Sequence, residues 1–458
     1  GTRARGAGTS VRDRELDDVC DAVLERSEIV ALLRDGHGCT PFEAAARVTE
    51  YLDELHTTQR YQLYRLLQHP LYPIFRKITT TVENPDIPRR AVKAGRVIYV
   101  SNHKSHTDYL VELILLDDLG IRPPLIAAGI NLFGGPLGLI HRHVTGAIPI
   151  RRATKDPIYL TTLKAYVAEL LRHHDLFFYP EGGRSYSGEM KPYKTGILHA
   201  ALQSGVKNVL LVPVAIAYDV VLEDRAISRQ GVKKRQRPFT YELAEMVGLA
   251  VGYRSRAFVT FGAPIAVGAY DPDSRKDALD LAHLTRDTIG RLFKVLPTAL
   301  VASAMRPSIT RADLESRVGA ALDHLQAAGA NLLLRDRQDV VEDGVSRLEQ
   351  RGVVQAELAA TRAIQQRLHP GRGGPPPRAR SERPAVLRPI DPTPAAGVTF
   401  TLGLPHAGCA FEVVLPRAGQ EQGPRGHGLA HRHGQTDEFR APIHRGRNRG
   451  GGHRGRQG

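Results

Sequence analysis

Short apolar runs alternate with helical patterns over residues 96–265, and this alternation constrains the fold more than any other feature of the sequence. The runs are RVIYV, AIPI, LFFYP, VLLVPVAIAY and FVTFG, and segments of helical spacing such as residues 108–119 and 157–174 lie between most of them. Strands that alternate with helices predict a mostly parallel sheet covered by helices on both faces. Ligands in such folds bind at the carboxyl ends of the strands, so we expect functional side chains there.

Differences in composition and in the spacing of apolar residues divide the 458 residues into four parts. Residues 1–90 predict an N-terminal helical region, which includes a capping box formed by Thr40 and Glu43. Residues 91–270 hold the α/β pattern, and residues 271–368 return to helical spacing. Residues 369–458 form a low-complexity basic tail rich in Gly, Pro and Arg. We expect this tail to be disordered, with a short ordered patch at GVTFTLGL.

The charge and cysteine content narrow the classes of function. The net charge is +15, and the Arg-rich tail accounts for a little more than half of it. A basic chain favours anionic substrates, an anionic membrane surface or nucleic acid, without choosing among them. The three cysteines are far apart and have no CxxC spacing. Their spacing argues against a disulfide framework or a zinc site and suits a reducing compartment.

Two segments bear on membrane contact. The longest weakly polar stretch, residues 125–140, is shorter than the roughly 20 residues that span a bilayer, and glycines and a proline interrupt it. We therefore predict no transmembrane helix. Residues 60–78 mix aromatic, leucine and basic side chains. This segment is either a helix packed on the core or an interfacial membrane-binding segment.

The stretch SNHKSHTDYL, residues 101–110, places titratable side chains where a buried strand ends. His103 follows the strand, and Asp108 lies five residues later, in the first turn of the predicted helix. A carboxylate on one imidazole nitrogen fixes the tautomer and leaves the other nitrogen as a base. Ser105 and Asp108 also match a capping box, so Asp108 has a structural interpretation as well. Metal binding is a third interpretation of the same residues.

Two further basic clusters follow predicted strands. YPEGGRSYSGEMKPYKTG, residues 179–196, combines adjacent glycines with Arg184, Lys191 and Lys194. Glycines allow a ligand to approach the backbone, and the cations are suited to a phosphate, although a solvated basic turn has the same composition. Arg151 and Arg152 follow the run AIPI. Their place at the end of a core strand predicts that they bind an anion.

These clusters together indicate one kind of chemistry. They supply a base with its orienting carboxylate, a glycine-rich basic loop and strand-end arginines, while the sequence shows no catalytic cysteine or GxSxG elbow. The set fits direct attack by a substrate hydroxyl on an activated acyl group, without a covalent enzyme intermediate. His103 would take the hydroxyl proton, and the basic residues would hold a phosphate. We expect no metal ion and no cofactor other than the acyl donor.

Four ordered blocks resemble the glycerolipid acyltransferases: NHKSHTD, GAIPIRR, YPEGGRS and VPVAIAYD. The EGGRS and KTG pieces are most similar to the glycerol-3-phosphate and dihydroxyacetone-phosphate acyltransferase branch. The resemblance implies transfer of a fatty acyl group from acyl-CoA or acyl-carrier protein to the sn-1 hydroxyl of glycerol 3-phosphate, in phospholipid biosynthesis. It also implies peripheral attachment to the anionic cytoplasmic face of the membrane.

The same resemblance implies roles for individual residues. His103 would be the catalytic base and Asp108 its partner. The residues that match the substrate-binding positions of the family are Arg152, Glu181, Gly182, Arg184, Ser185 and Lys194.

Two alternatives stay open. Within the same class, the acceptor would be a 1-acylglycerol 3-phosphate or dihydroxyacetone phosphate. In a different class, the Arg- and Gly-rich tail would bind nucleic acid. We expect no nucleic acid as a partner, because no recognisable nucleic-acid-binding module accompanies the tail.

Overall fold

The computed structural model describes residues 11–66, 78–105, 107–151, 154–185, 188–221, 255–358 and 398–402. The helices in these residues are α1 Val11–Leu24, α2 Ser27–Asp35, α3 Pro41–Leu55, α4 (residues 61–66), α5 Asp86–Ala94, α6 Asp108–Asp118, α7 Gly135–His143, α8 Pro157–His173, α9 Gly196–Leu202, α10 Arg275–Leu292, α11 Pro297–Ala304, α12 Arg311–Ala327 and α13 Arg337–Gln350. The strands are β1 Ile78–Glu83, β2 Arg96–Ser101, β3 Leu125–Gly129, β4 Ala147–Ile150, β5 Leu176–Phe178, β6 Val209–Tyr218, β7 Ser255–Phe261, β8 Ile265–Ala266, β9 Lys294–Val295, β10 Ser308–Thr310, β11 Asn331–Leu332, β12 Val354–Leu358 and β13 Val398–Leu402.

The main sheet has eight strands in the order β1-β7-β6-β2-β5-β3-β4, with β8 beside β6. Strands β6, β2, β5, β3 and β4 are parallel to their neighbours within this group. Strand β7 pairs antiparallel with β6, while β1 is parallel to β7. The mostly parallel, helix-covered sheet predicted from the sequence is therefore confirmed. The parallel group brings the carboxyl ends of β2, β4 and β5 to one edge.

Alternate side chains of β2 enter different cores. Ile98 and Val100 pack in a core with residues of α1, α2, α3, α8 and α9, whereas Val97 and Tyr99 pack in a second core with residues of α5 and α6. All four side chains are fully buried. Since successive side chains of a strand point to opposite faces, helices cover both faces of the sheet at its centre.

The sheet begins earlier in the chain than the sequence boundaries place it. Strand β1, Ile78–Glu83, lies within the range assigned to the N-terminal helical region and pairs with β7. Its sequence ITTTVE is rich in β-branched residues, which favour strands. These residues therefore form a strand, although the sequence before them has helical spacing. Most of the 60–78 segment considered for membrane binding lies outside the described residues.

Residues 297–358 form a smaller helical unit with its own core. Buried side chains of α11, α12 and α13 pack together there, among them Val301, Val318 and Val341. Two ion-pair clusters join this unit to the main sheet. Arg256 on β7 bridges Asp219 and Asp343, and Lys294, just before the unit, pairs with Glu83 of β1 while Asn331 of the unit donates to the same carboxylate. The helical region predicted for residues 271–368 thus also contains short strands, β9 to β12.

The ordered patch expected within the basic tail is strand β13. It pairs antiparallel with β10 on one side and with β12 on the other, and so lies at the centre of a three-stranded sheet. The alternation of VTFTL is typical of a strand. The rest of the tail, residues 369–397 and 403–458, lies outside the described residues.

Among the described residues, no helix combines the length and the apolarity that a bilayer crossing requires. The weakly polar stretch 125–140 divides into β3, a 3₁₀ turn at Ile130–Phe133 and the first part of α7.

The position of β13 leads to a prediction about truncation. A chain that ends at residue 368 lacks the strand shared by β10 and β12, so the backbone amides of those two strands lose their partner. We expect residues 308–310 and 354–358 to exchange amide hydrogen much faster than in a chain that ends at residue 416. Strand β2 serves as the internal control and should exchange equally slowly in both. Equal exchange of β10 and β12 in the two chains would show that β13 does not pair there.

Candidate active site

The loops that follow β2 and β5 are joined at the carboxyl edge of the parallel strands. The backbone N–H of Ser185 donates to the carbonyl of His103 at 3.0 Å. The backbone N–H of His103 donates in turn to Glu181 Oε1 at 3.1 Å. Residues that are about 80 positions apart in the chain are thus fixed beside each other. The two clusters singled out in the sequence therefore form one site.

Asp108 orients the imidazole of His103. His103 Nδ1 lies 2.9 Å from Asp108 Oδ2, and Asp108 is fully buried. The same oxygen accepts from the backbone amides of Lys104 and Ser105, at 2.6 and 2.8 Å. Asp108 therefore holds the loop and contacts the histidine with one oxygen. The N-cap residue of α6 is Thr107, with no side-chain capping hydrogen bond, so the carboxylate of Asp108 organises the preceding loop and does not cap the helix.

This geometry determines which imidazole nitrogen can act as a base. A carboxylate oxygen accepts hydrogen bonds, so the hydrogen of a neutral His103 lies on Nδ1. Nε2 then keeps a free lone pair, which can take a proton from a hydroxyl group. The imidazolium that forms would be stabilised by the negative charge of Asp108. The contact predicted between these residues is present, and their catalytic roles stay a prediction.

Tyr179 covers one face of the imidazole. Its ring is stacked on that of His103 with 4.3 Å between centroids and 15° between planes. The hydroxyl of Tyr179 donates to Glu112 Oε2 at 2.6 Å, and the hydroxyl of Ser101 donates to Glu112 Oε1 at 2.5 Å. Neither Tyr179 nor Glu112 is among the site residues predicted from the sequence. Tyr179 occupies an aromatic strand end, and Glu112 lies in an otherwise apolar helical pattern, which is the signal that marks it.

Glu181 ties the site together through backbone groups. It is almost completely buried, and its second oxygen accepts from the backbone N–H of Lys191 at 3.0 Å. With its bond to the His103 amide, this carboxylate joins the histidine loop to both ends of the glycine-rich loop. The substrate-binding role implied for Glu181 stays a prediction, and the contacts in the structure indicate a loop-organising role.

Within the glycine-rich loop, the side chain of Lys194 lies against the backbone of Gly182. Gly182 has a φ of +66°, which L side chains rarely adopt, and a Cβ added there would lie 2.6 Å from Lys194 Nζ. Both residues line a cavity next to His103. Any side chain at position 182 would therefore collide with Lys194, whose ammonium group lies beside the backbone of Gly182.

The remaining basic residues have different environments. Lys191 was predicted to hold a phosphate, but its ammonium group donates to the carbonyls of Gly183 and Arg184 within the loop. Arg184 is half-buried. Ser185 is buried, and its hydroxyl has no hydrogen-bond partner among the described residues.

Lys104, which the sequence analysis did not select, also lies inside the site. Its ammonium group donates to the carbonyl of Gly188 and lies over the Phe293 ring, 5.1 Å from the centroid. Burial lowers the pKa of Lys104, against the opposing effect of Glu181 and Asp108.

Arg151 already binds an anion that the protein itself supplies. Its guanidinium forms a two-point ion pair with Glu54 of α3, with N–O distances of 2.8 and 2.6 Å. It also packs over Tyr51 and Tyr159, at 4.9 and 5.4 Å from the ring centroids. The prediction that Arg151 binds a ligand anion is therefore replaced by an ion pair to the N-terminal helices. Arg152, the second arginine of this block, lies outside the described residues.

A cavity of about 360 Å³ opens beside His103. Its walls are mostly apolar, and they include Ile126, Leu132, Phe133, Leu160, Phe178 and Ile197. The polar groups that line it include His103, Arg151, Thr154 and Lys194. Such a cavity can hold a hydrocarbon chain while a polar head lies beside the base.

Comparison with known proteins agrees with this geometry. The family model described as Acyltransferase matches residues 80–217, which contain the dyad, the cavity and the glycine-rich loop. Residues 80–217 are an acyltransferase domain.

Curated proteins similar to this chain include glycerol-3-phosphate acyltransferases of Aeromonas hydrophila, 30% identical over 62% of the chain, and Pseudoalteromonas atlantica, also 30% identical over 62%. A third, from Haemophilus ducreyi, is 33% identical over 50% of the chain. The matched regions cover 39%, 39% and 29% of these relatives, so the chain spans well under half of their length. The solved 1-acyl-sn-glycerophosphate acyltransferase of Thermotoga maritima is 16% identical over 61% of the chain and 95% of that structure, with a TM-score of 0.29. That score is too low to support a conclusion.

Substitution of His103 or Asp108 tests whether this pair is catalytic. We expect His103→Ala to lower turnover roughly 10²- to 10⁴-fold, the usual scale for a positioned base. Asp108→Asn should also lower turnover, because an amide nitrogen facing Nδ1 favours the tautomer that protonates Nε2. His283→Ala, an exposed histidine on α10, is the matched control and should retain wild-type turnover. Near-normal turnover of a folded His103→Ala protein would exclude His103 as the base.

Proposed function

We propose that the protein transfers a fatty acyl group from acyl-CoA or acyl-carrier protein to the sn-1 hydroxyl of glycerol 3-phosphate. One observation carries this proposal: the His103–Asp108 pair opens onto an apolar cavity that Lys194 also lines. The proposed base, the chain-binding space and a lysine side chain thus line the same cavity. The similar proteins of Aeromonas hydrophila and Pseudoalteromonas atlantica are named glycerol-3-phosphate acyltransferases, which supports glycerol 3-phosphate as the acceptor.

The reaction we propose is a single displacement at the thioester carbonyl. Nε2 of His103 takes the proton of the sn-1 hydroxyl while that oxygen attacks the carbonyl carbon. The tetrahedral intermediate then collapses, the carbon–sulfur bond breaks, and the leaving thiolate accepts the proton from the imidazolium. Asp108 accepts from Nδ1 throughout and stabilises the transient positive charge. No step in this scheme needs a metal ion or a cofactor beyond the acyl donor.

The cavity is suited to the acyl chain of the donor. Its apolar walls, which include Phe133, Leu163 and Phe178, would shield methylene groups from water. Because His103 lines the same cavity, a chain bound there would place its thioester near the base.

The cations near His103 are suited to the phosphate of the acceptor. Glycerol 3-phosphate differs from glycerol by a dianion, so its selection requires positive groups at fixed places. Lys194 lines the cavity, Arg184 belongs to the glycine-rich loop, and Arg152, which lies outside the described residues, is a candidate from the sequence alone. An arginine can bind two phosphate oxygens at once, whereas a lysine acts as a point charge.

We also propose that the protein works at an anionic membrane surface, where the product of acyl transfer would enter the lipid phase. The observation in favour is a set of exposed apolar side chains, one of which lines the cavity and two of which lie on α7, between the cavity residues Phe133 and Thr145 in the chain. Leu139 and Ile140 of α7 are exposed, and so is Leu160, which lines the cavity itself. Exposed apolar side chains next to a chain-binding cavity suit an interface with lipid. Attachment would be peripheral, on the cytoplasmic face.

Product analysis separates the candidate acceptors. The purified chain is incubated with palmitoyl-CoA and, in turn, with labelled glycerol 3-phosphate, dihydroxyacetone phosphate and a 1-acylglycerol 3-phosphate. We expect the first to be acylated fastest. Faster acylation of either of the others would reassign the acceptor within the same chemistry, and no product from any of them would overturn the proposed function.

Charge removal at the cations tests how the acceptor is held. Loss of one charge-assisted contact is worth about 1.5–3 kcal/mol, so Arg184→Ala, Arg152→Ala and Lys194→Met should each raise the acceptor KM roughly 10- to 150-fold. Arg184→Lys should be impaired as well, because it loses the two-point geometry. The KM for the acyl donor should change much less.

Lys276→Ala is the control for these substitutions, because Lys276 lies on the exposed surface of α10 and pairs only with its helix neighbour Asp280 among the contacts of the described residues. Its KM values should equal those of the wild type. A change confined to the donor KM in the three test variants would assign these cations to the donor and would place the acceptor phosphate elsewhere.

A further inference from the structure

Glu112 lies one helical turn after Asp108 on α6, in a place where the pattern calls for an apolar residue. Its neighbours Val111, Leu113 and Leu116 are buried in the core on that face of the sheet. Glu112 itself is only 2% exposed. A buried carboxyl group costs free energy unless its oxygens are hydrogen-bonded. A leucine would avoid that cost, so the contacts of Glu112 indicate what the residue supplies.

Both oxygens of Glu112 have partners at the edge of the site. Oε1 accepts from the hydroxyl of Ser101 at the end of β2, and Oε2 accepts from the hydroxyl of Tyr179 just beyond β5. The carboxyl group of Glu112 thus connects the end of β2 with the residue that follows its neighbour β5. Among its contacts in the described residues, the one that leads to the reacting group is Tyr179, whose ring is stacked on His103.

Helix α6 consequently fixes the imidazole twice. Asp108, in the first turn, holds the ring in its plane through Nδ1. Glu112, in the second turn, holds the tyrosine that covers the ring face. Residues four apart lie on the same side of a helix, which explains why one helix can supply both contacts. The in-plane bond alone leaves the imidazole free to rotate about the bond axis, and the stacked ring opposes that rotation.

We propose that Glu112 is a positioning residue, which holds Tyr179 against His103 and so fixes the direction in which Nε2 points. The role in catalysis rests on the proposed acyl transfer, in which Nε2 takes the hydroxyl proton. Glu112 contacts neither substrate in this scheme and acts through Tyr179.

The surroundings of Glu112 favour the neutral form of its carboxyl group. Burial raises the pKa of Glu112 well above its usual value, the nearby negative charge of Asp108 raises it further, and the hydrogen bonds from Ser101 and Tyr179 oppose the shift. While Asp108 is the charged partner of the imidazolium, both contacts remain in the neutral form of Glu112, because one oxygen of its carboxyl group donates to the hydroxyl of Ser101 or Tyr179 and the other accepts. The neutral isostere of this group is glutamine, which makes Glu112→Gln a matched variant.

Nuclear magnetic resonance provides a test that does not depend on activity. In protein carrying ¹³C-labelled histidine, the His103 Cε1–H signal is assigned by its absence from His103→Ala. The stacked Tyr179 ring should displace this signal upfield. We expect Tyr179→Leu to abolish the displacement, Glu112→Leu to reduce it substantially, and Glu112→Gln to preserve it. An unchanged displacement in folded Glu112→Leu would overturn the proposal.

Steady-state kinetics test the consequence for catalysis. We expect Glu112→Leu to lower kcat about tenfold with both KM values unchanged, the scale of one lost hydrogen bond to a buried group. Glu112→Gln should stay within about threefold of the wild type. Tyr179→Phe removes the same bond from its other end, so the double variant should be no slower than the worse single variant. Multiplying losses would show that the two residues act separately.

Glu169→Leu is the control for a general effect of losing a buried carboxyl group. Glu169 lies late in α8, near the opposite edge of the sheet, and pairs with Arg26 and Arg172. It should alter the melting temperature and leave the His103 signal in place. If Glu112→Leu does not fold, Tyr179→Phe probes the same bond. A wild-type protein that acylates no acceptor would overturn the proposed function, while the NMR displacement would still decide whether Glu112 positions His103.

Discussion

One oxygen of Asp108 accepts from His103 Nδ1 and from two backbone amides of the loop before α6. The rest of the site depends on this buried carboxylate. Its bonds to Lys104 and Ser105 fix the shape of the loop, and its bond to the imidazole fixes the tautomer. The shape of the loop and the orientation of the imidazole are therefore determined together, and a change at Asp108 would disturb both. Helix α6 supplies the carboxylate from its first turn, where a negative charge is favourable.

The direction of the parallel strands determines which other loops lie beside His103. Because β2 and β5 are neighbours and run in the same direction, the loops that follow them begin side by side. Glu181 and the Ser185 amide then join these loops to His103 by hydrogen bonds. The result is an edge where His103, a glycine-rich loop and an apolar cavity meet. The proposed reaction needs a base for the hydroxyl nucleophile, cations for the phosphate and an apolar space for the fatty acyl chain, and this edge offers a candidate for each.

The sequence predicted those parts of the molecule that local pattern determines. The strand–helix alternation predicted the sheet, the spacing of His103 and Asp108 predicted their contact, and VTFTL indicated an ordered patch. Other features depend on which distant residues meet in the fold. Tyr179 and His103 are 76 positions apart, and nothing in either local pattern predicts that their rings stack. The partner of Arg151 is Glu54, which lies on a helix of the N-terminal region and is even more distant in sequence, 97 positions away. The sequence predicted that Lys191 binds a phosphate, but its ammonium group donates to two carbonyls of its own loop.

A direct transfer through His103 makes a clear prediction about the enzyme before the acceptor arrives. The purified protein is mixed with palmitoyl-CoA alone, and its intact mass and the released CoA are measured. The account predicts an unmodified mass and no burst of CoA, because the base acts on the acceptor hydroxyl and forms no bond to the acyl group. A protein heavier by one acyl group, with about one equivalent of CoA released, would contradict it.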